Sequence, residues 1–123
     1  MVEPVLRAKT WSGDTFENPL EDDLFDLLSE MNLRHRFVIV ERLDKEPAGQ
    51  HYMQVYLNDD MSCQVEYREG GPDQHFQALV PGPFEMSGHG TVAVVLKDWA
   101  RDRPGWREAL SWTPWSPTAE PRQ

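Results

Sequence analysis

The chain has 123 residues and a mass of 14.3 kDa, room for one domain with one core. Hydrophobic residues make up 39% and aromatic residues 11%, enough to argue against wholesale disorder, and no apolar run approaches the ~18 residues that a transmembrane helix needs. A net charge of -9 repels nucleic acid and anionic membranes and favours a basic partner, while the single Cys63 excludes an internal disulfide and a cysteine-built zinc site.

The first residues carry no apolar signal-like segment, so a reducing, cytoplasmic setting is expected. Residues 1–15 read as a loose lead-in with a short strand at Val5–Trp11. Residues 16–115 read as one α+β domain, and 116–123, with Pro117 and Pro121 among small polar residues, as a disordered tail.

A helix is predicted over 19–32. Asn18 is placed to cap it, Pro19 fits its first position and Glu21 its third. Leu20, Leu24, Leu27, Leu28 and Met31 then share an arc of about 100°, the stripe a helix buries. Arg34, His35 and Arg36 would suit its negative C-terminal end.

Four strand-like runs follow. Phe37–Leu43 is so apolar at Phe37, Val38, Ile39 and Val40 that burial on both faces is expected. His51–Leu57 alternates Met53, Val55 and Leu57 with Tyr52, Gln54 and Tyr56. Met61–Arg68 alternates Cys63, Val65 and Tyr67 with Ser62, Gln64, Glu66 and Arg68. Gln74–Val80 sets Phe76, Ala78 and Val80 opposite His75, Gln77 and Leu79. The turns between them, Asn58–Asp60 and Glu69–Asp73, are short, which predicts an antiparallel meander.

A second helix is predicted over 87–102, with Val92, Val95, Leu96, Trp99 and Ala100 on one arc, stopped by Pro104 and Gly105. A helical turn and a strand over 109–115 then close one end of the core, in a stretch holding Trp106, Trp112 and Trp115. The expected fold is an α+β two-layer sandwich: about four antiparallel strands with two helices on one face, in the order α-β-β-β-β-α plus a short C-terminal element.

No motif demands catalysis. His35, His51, His75 and His89 have no helical-spacing partner, so no metal site and no cofactor is expected. Cys63 reads as a small core residue. Ser87 with His89 lacks a triad signature, and Gly88 and Gly90 match no phosphate-loop pattern. Glu66 and Glu69 flank Arg68, the pattern of an ordinary ion pair. The chain is therefore expected to be a non-enzyme.

Two surfaces remain. Asp22, Asp23, Asp26 and Glu30 share one arc of the first helix with no lysine or arginine among them. The like-charged pair Asp22/Asp26 is mildly unfavourable, so stability alone would not select the pattern, and complementary charge steers association. The outward sheet face carries Tyr52, Gln54, Tyr56, Gln64, Glu66, Arg68, His75 and Gln77, residue types suited to recognition or to homodimer pairing.

The hairpin HYMQVYLNDDMSCQVEY after an acidic amphipathic helix, and the later LKDWARDRPGW, make the chain similar to small bacterial α+β proteins of the YbjN and type III secretion chaperone-like group. In kind it also resembles small acidic immunity proteins. The resemblance implies a non-enzymatic protein that binds another polypeptide, with Tyr52, Gln54 and Glu66 as contact residues. The expected partner carries a basic patch, anchored by Tyr52, Tyr56 and Arg68 and steered by Asp22, Asp26 and Glu30. Two alternatives stand beside it: a small-ligand or weakly catalytic site in the sheet–helix crevice using His75 and Glu66, and an acidic nucleic-acid mimic.

Overall fold

A computed structural model of the chain describes residues 5–47, 49–81 and 89–114. Its strands are β1 (Leu6–Thr10), β2 (Thr15–Glu17), β3 (Phe37–Arg42), β4 (His51–Leu57), β5 (Cys63–Glu69), β6 (His75–Val80) and β7 (Thr113–Pro114). Its α-helices are α1 (Glu21–Ser29), α2 (His89–Ala100) and the single-turn α3 (Trp106–Ala109). All strand pairs are antiparallel, and they form one seven-stranded sheet in the order β2-β1-β3-β4-β5-β6-β7.

The α+β character and the β3–β6 meander agree with the sequence reading, but the sheet is larger than the four strands expected. The stretch read as a lead-in supplies β1, an interior strand with Leu6 and Ala8 in the core. Its alternation of Arg7 and Lys9 with Leu6 and Ala8 is the signal of a half-covered strand. β2 has no such signal: three exposed residues fold back through Gly13, whose φ of 89° suits a residue without a Cβ.

The helix α1 starts later than the capping pattern suggests. Asn18 adopts φ 50° and does not cap it. The N–H groups of Val5 and Leu6 donate instead to Asn18 Oδ1 at 2.8 and 3.2 Å, which ties the end of β2 to the start of β1. Asp23 then accepts a bond from the Leu20 N–H at 2.8 Å, closing the first turn of the helix. Arg36, expected near the helix end, reaches Asp59 at 2.7 Å and the Leu57 carbonyl instead.

The core lies between one sheet face and the helices. Leu24 and Leu28 of α1, and Val92, Val95, Leu96 and Trp99 of α2, pack on Val38, Val40, Met53, Val55, Leu57, Cys63, Val65 and Tyr67. Trp106 and Trp112 close one end, stacked edge-on against Tyr67 with ring centroids 4.7 and 4.8 Å away. Cys63 is fully buried, and burial pushes its thiol up to about 12, consistent with a packing role. Trp115, the tail and Ser87–Gly88 lie outside the described residues.

β3 departs from expectation on one side. Val38 and Val40 are buried, but Phe37 and Ile39 are only half-buried, because among the described residues no second layer covers their face. Trp11 shields Phe37 in part, with ring centroids 5.3 Å apart. The sheet therefore has a helix-covered side and an open side.

Candidate functional site

The strand registers arrange the open side in rows. Glu41, Tyr52, Arg68 and His75 are successive cross-strand neighbours. Ile39, Gln54, Glu66 and Gln77 form the next row, and Phe37, Tyr56, Gln64 and Leu79 the third. Neighbouring strands lie about 4.8 Å apart, so each row is a nearly continuous band of side chains.

At the centre is a buried polar network. Glu66 and His75 are only 5% and 4% exposed although they lie on the side away from the described helices. Arg68 Nε donates to His75 Nδ1 at 3.0 Å. A guanidinium can only donate, so Nδ1 accepts and the ring carries its proton on Nε2. Nε2 in turn donates to Glu66 Oε1 at 2.9 Å. Gln64 Nε2 donates to Glu66 Oε2 and to Gln77 Oε1, each at 2.9 Å, and Arg68 Nη1 donates to Gln50 Oε1 at 2.9 Å. Tyr52 packs edge-on to His75, with the Arg68 guanidinium 5.6 Å from its ring centre, and burial raises its phenol above the usual tyrosine range.

The residues predicted to form the outward face are thus brought together, with a difference in kind. Tyr52, Gln54, Tyr56, Gln64, Arg68 and Gln77 are half-buried, while Glu66 and His75 are buried. Glu66 does not pair with Arg68. Glu69 points to the other side and pairs with Arg107. His75 and Glu66 lie on the side away from the described helices and not in the sheet–helix crevice. Among the described residues, no group of three or more His, Cys, Asp or Glu side chains is arranged to hold a metal ion. In the β4–β5 turn, Asp59 pairs with Arg36 and Asp60 accepts from Ser62.

The acidic residues of α1 lie on the opposite side of the sheet. Asp22, Asp23, Asp26 and Glu30 are all exposed, and among the described residues none pairs with a lysine or arginine. Asp23, Asp26 and Glu30 line a groove of about 540 Å³ with Thr15, Phe16, Glu17, Pro19 and Leu27. A smaller depression of about 150 Å³ adjoins it, sharing Phe16, Leu27 and Glu30. Sequence reasoning missed Phe16 and the β2 edge. Their only trace was an aromatic residue in a short polar segment.

A further cavity of about 210 Å³ opens at the far end, lined by Arg42, Lys45, His51, Glu69, Trp99, Asp102, Arg103 and Arg107 among others. Its cations are internally committed. Arg42 forks onto Asp44 at 2.9 and 3.0 Å and reaches Asp102 at 2.8 Å, and Arg103 bonds Asp98 and Glu21. Arg42, 9% exposed, thereby fastens the end of β3 to the turn after α2. The bond from Arg42 is the main cause that holds Asp44 and Asp102 below the usual aspartate range. Both carboxyls are therefore more acidic folded than unfolded, so their pairing stabilises above about pH 4 and is lost as pH falls through the folded values. Urea midpoints measured from about pH 5 to 2 should fall with acid, and Arg42→Met should flatten that fall. Parallel pH profiles in the two proteins would contradict the assignment.

No family model, curated protein or solved structure matches this chain. The reading of its function rests on the geometry above.

Proposed function

We propose that this chain is a non-enzymatic, polypeptide-binding module of the immunity-protein or secretion-chaperone kind. Its partner carries a basic patch. Tyr52, Tyr56 and Arg68 of the open face are the anchors, Gln54 and Glu66 complete that face, and Asp22, Asp26 and Glu30 steer the approach.

The observation that carries this reading is the side of the sheet that no described helix covers. Half-buried tyrosine, glutamine and arginine side chains stand on a hydrogen-bonded platform: among the described residues no buried side-chain nitrogen or oxygen lacks a partner. Aromatic and arginine side chains that lose little freedom on contact supply most interface energy. The acid–base alternative has less support, since both nitrogens of the buried His75 ring are already engaged, by Arg68 and Glu66.

The test is capture from extracts of the cells that make the protein, comparing wild type with Tyr52→Ala/Tyr56→Ala. The expected result is one polypeptide retained by wild type and lost from the variant. With that partner in hand, Asp22→Ala/Asp26→Ala/Glu30→Ala should slow association about threefold to tenfold at low salt, and the difference should vanish in high salt. No retained polypeptide, or an on-rate untouched by the triple substitution at low salt, would count against the reading.

A further inference from the structure

The two surfaces in that reading lie on opposite sides of the sheet, and one feature joins them: the free edge of β2. β2 is the terminal strand of the sheet. Its pairing with β1 fixes which of its backbone groups are spent. Thr10 N–H donates to the Asp14 carbonyl at 3.1 Å and Asn18 N–H to the Leu6 carbonyl at 2.9 Å. Bonded and non-bonded pairs alternate in an antiparallel ladder, so Ala8 and Phe16 form the bonded pair between these two. The N–H and C=O groups of Thr15 and Glu17 therefore point outward, and no backbone group among the described residues meets them.

The space beside that edge is the groove bounded by Asp23, Asp26 and Glu30 of α1. Phe16, on the helix side of the sheet, is 42% exposed and forms part of its floor with Leu27. Along α1 these acids are spaced about 4.5 and 6 Å apart at 1.5 Å per residue. Alternate residues of an extended chain are about 6.6 Å apart, close enough for long flexible side chains to match them.

We propose that the β2 edge and the acidic side of α1 together dock an extended segment of another polypeptide with lysine or arginine at alternate positions. The segment adds an eighth strand, its backbone bonding Thr15 and Glu17. Its basic side chains lie on the helix side, with their aliphatic stems on Phe16 and Leu27 and their charged heads at Asp23, Asp26 and Glu30. A second copy of this chain fits less well, because its own edge brings the same carboxylates toward that row. The proposal deepens the polypeptide-binding reading and rests on it.

The test uses the full isotope-labelled chain and two end-blocked octapeptides of identical composition. One alternates lysine with valine and threonine, and the other has its lysines consecutive. At low salt the alternating peptide should shift the amide protons of Thr15 and Glu17 and slow their exchange. The consecutive-lysine peptide should bind about tenfold more weakly, and Asp26→Lys/Glu30→Lys should weaken the alternating peptide about tenfold. Thr15→Pro removes an outward N–H and no ladder bond, so it should abolish the protection at Glu17. Should that variant fail to fold, the α1 double substitution still decides.

Equal affinity for the two peptides, unshifted Thr15 and Glu17, or protection of these amides that rises with protein concentration alone would overturn the proposal. Shifts confined to Tyr52, Tyr56 and Arg68 would overturn the edge site and leave the broader reading standing. Peptide binding at the edge with no polypeptide retained from cell extracts would instead overturn the anchoring role of Tyr52, Tyr56 and Arg68 and leave the edge site standing.

Discussion

Trp106→Ala should lower the unfolding free energy by about 3–5 kcal/mol, the largest loss expected from any single substitution in this chain. Trp106 is 3% exposed and meets Tyr67 and Trp112 edge-on, with centroids 4.7 and 5.7 Å away. The Arg107 guanidinium covers its outer side at 4.3 Å from the ring centre. Truncation removes all of these contacts and opens a void that neighbouring rings are too rigid to fill. Because a domain of this size is stable by only roughly 5–15 kcal/mol, much of the folded population could be lost at physiological temperature. Trp106→Phe keeps an aromatic edge against Tyr67 and should cost distinctly less. Urea titrations of both variants check the order, and a loss below about 1 kcal/mol for the alanine variant would show that the cluster does not close the core.

Glu66→Ala is expected to cost about 1–3 kcal/mol, the loss that follows when a buried donor is deprived of its acceptor. It strips the acceptor from His75 Nε2 and from the Gln64 amide at one stroke. His75 is buried, so the loss falls mainly on its ring N–H, whereas the half-buried Gln64 amide still donates to Gln77. In a double-mutant cycle with His75→Ala the two losses should be strongly non-additive, with a coupling of about 1–3 kcal/mol. Additive losses would mean that the two side chains stand independently, and that the open face is not the rigid platform the binding reading requires.

Much of this architecture could be read from pattern alone. The alternation in 51–57 and 61–68 placed Met53, Val55, Cys63 and Val65 on the covered side, where all four are fully buried. The arc of Val92, Val95, Leu96, Trp99 and Ala100 likewise became the buried stripe of α2. Local chemistry misled where a distant partner competed for the same group. Asn18 has the side chain of a helix cap, but the N–H groups of Val5 and Leu6 at the start of β1, brought in by sheet pairing, claim its oxygen. Leu20, counted into the helix stripe, is 64% exposed because the helix begins one residue later.

The candidate site was legible in composition but not in connectivity. Period-two alternation assigns Glu66, Arg68 and His75 to one side, yet only the register shows Arg68 opposite His75 and Glu66 beside it. That is why Arg68 was expected to pair with a carboxylate and instead bonds an imidazole. The sheet also separates the acidic helix from the tyrosine-bearing side, so a flat partner can engage one or the other. A partner touching both must wrap the β2 edge.

The interior position of β1 has a consequence for how the molecule is assembled and handled. Its neighbour β3 follows only after β2 and α1 have intervened, as the pairing of Ala8 with Val40 shows. The sheet is therefore completed by a long-range closure, the slow kind of step in chain collapse. Until it happens, Val38, Ile39 and Val40 form an unprotected apolar border open to a like strand from a neighbouring chain. Proteolytic trimming ahead of Asn18 would make that exposure permanent and turn the fold into a seed for precipitation.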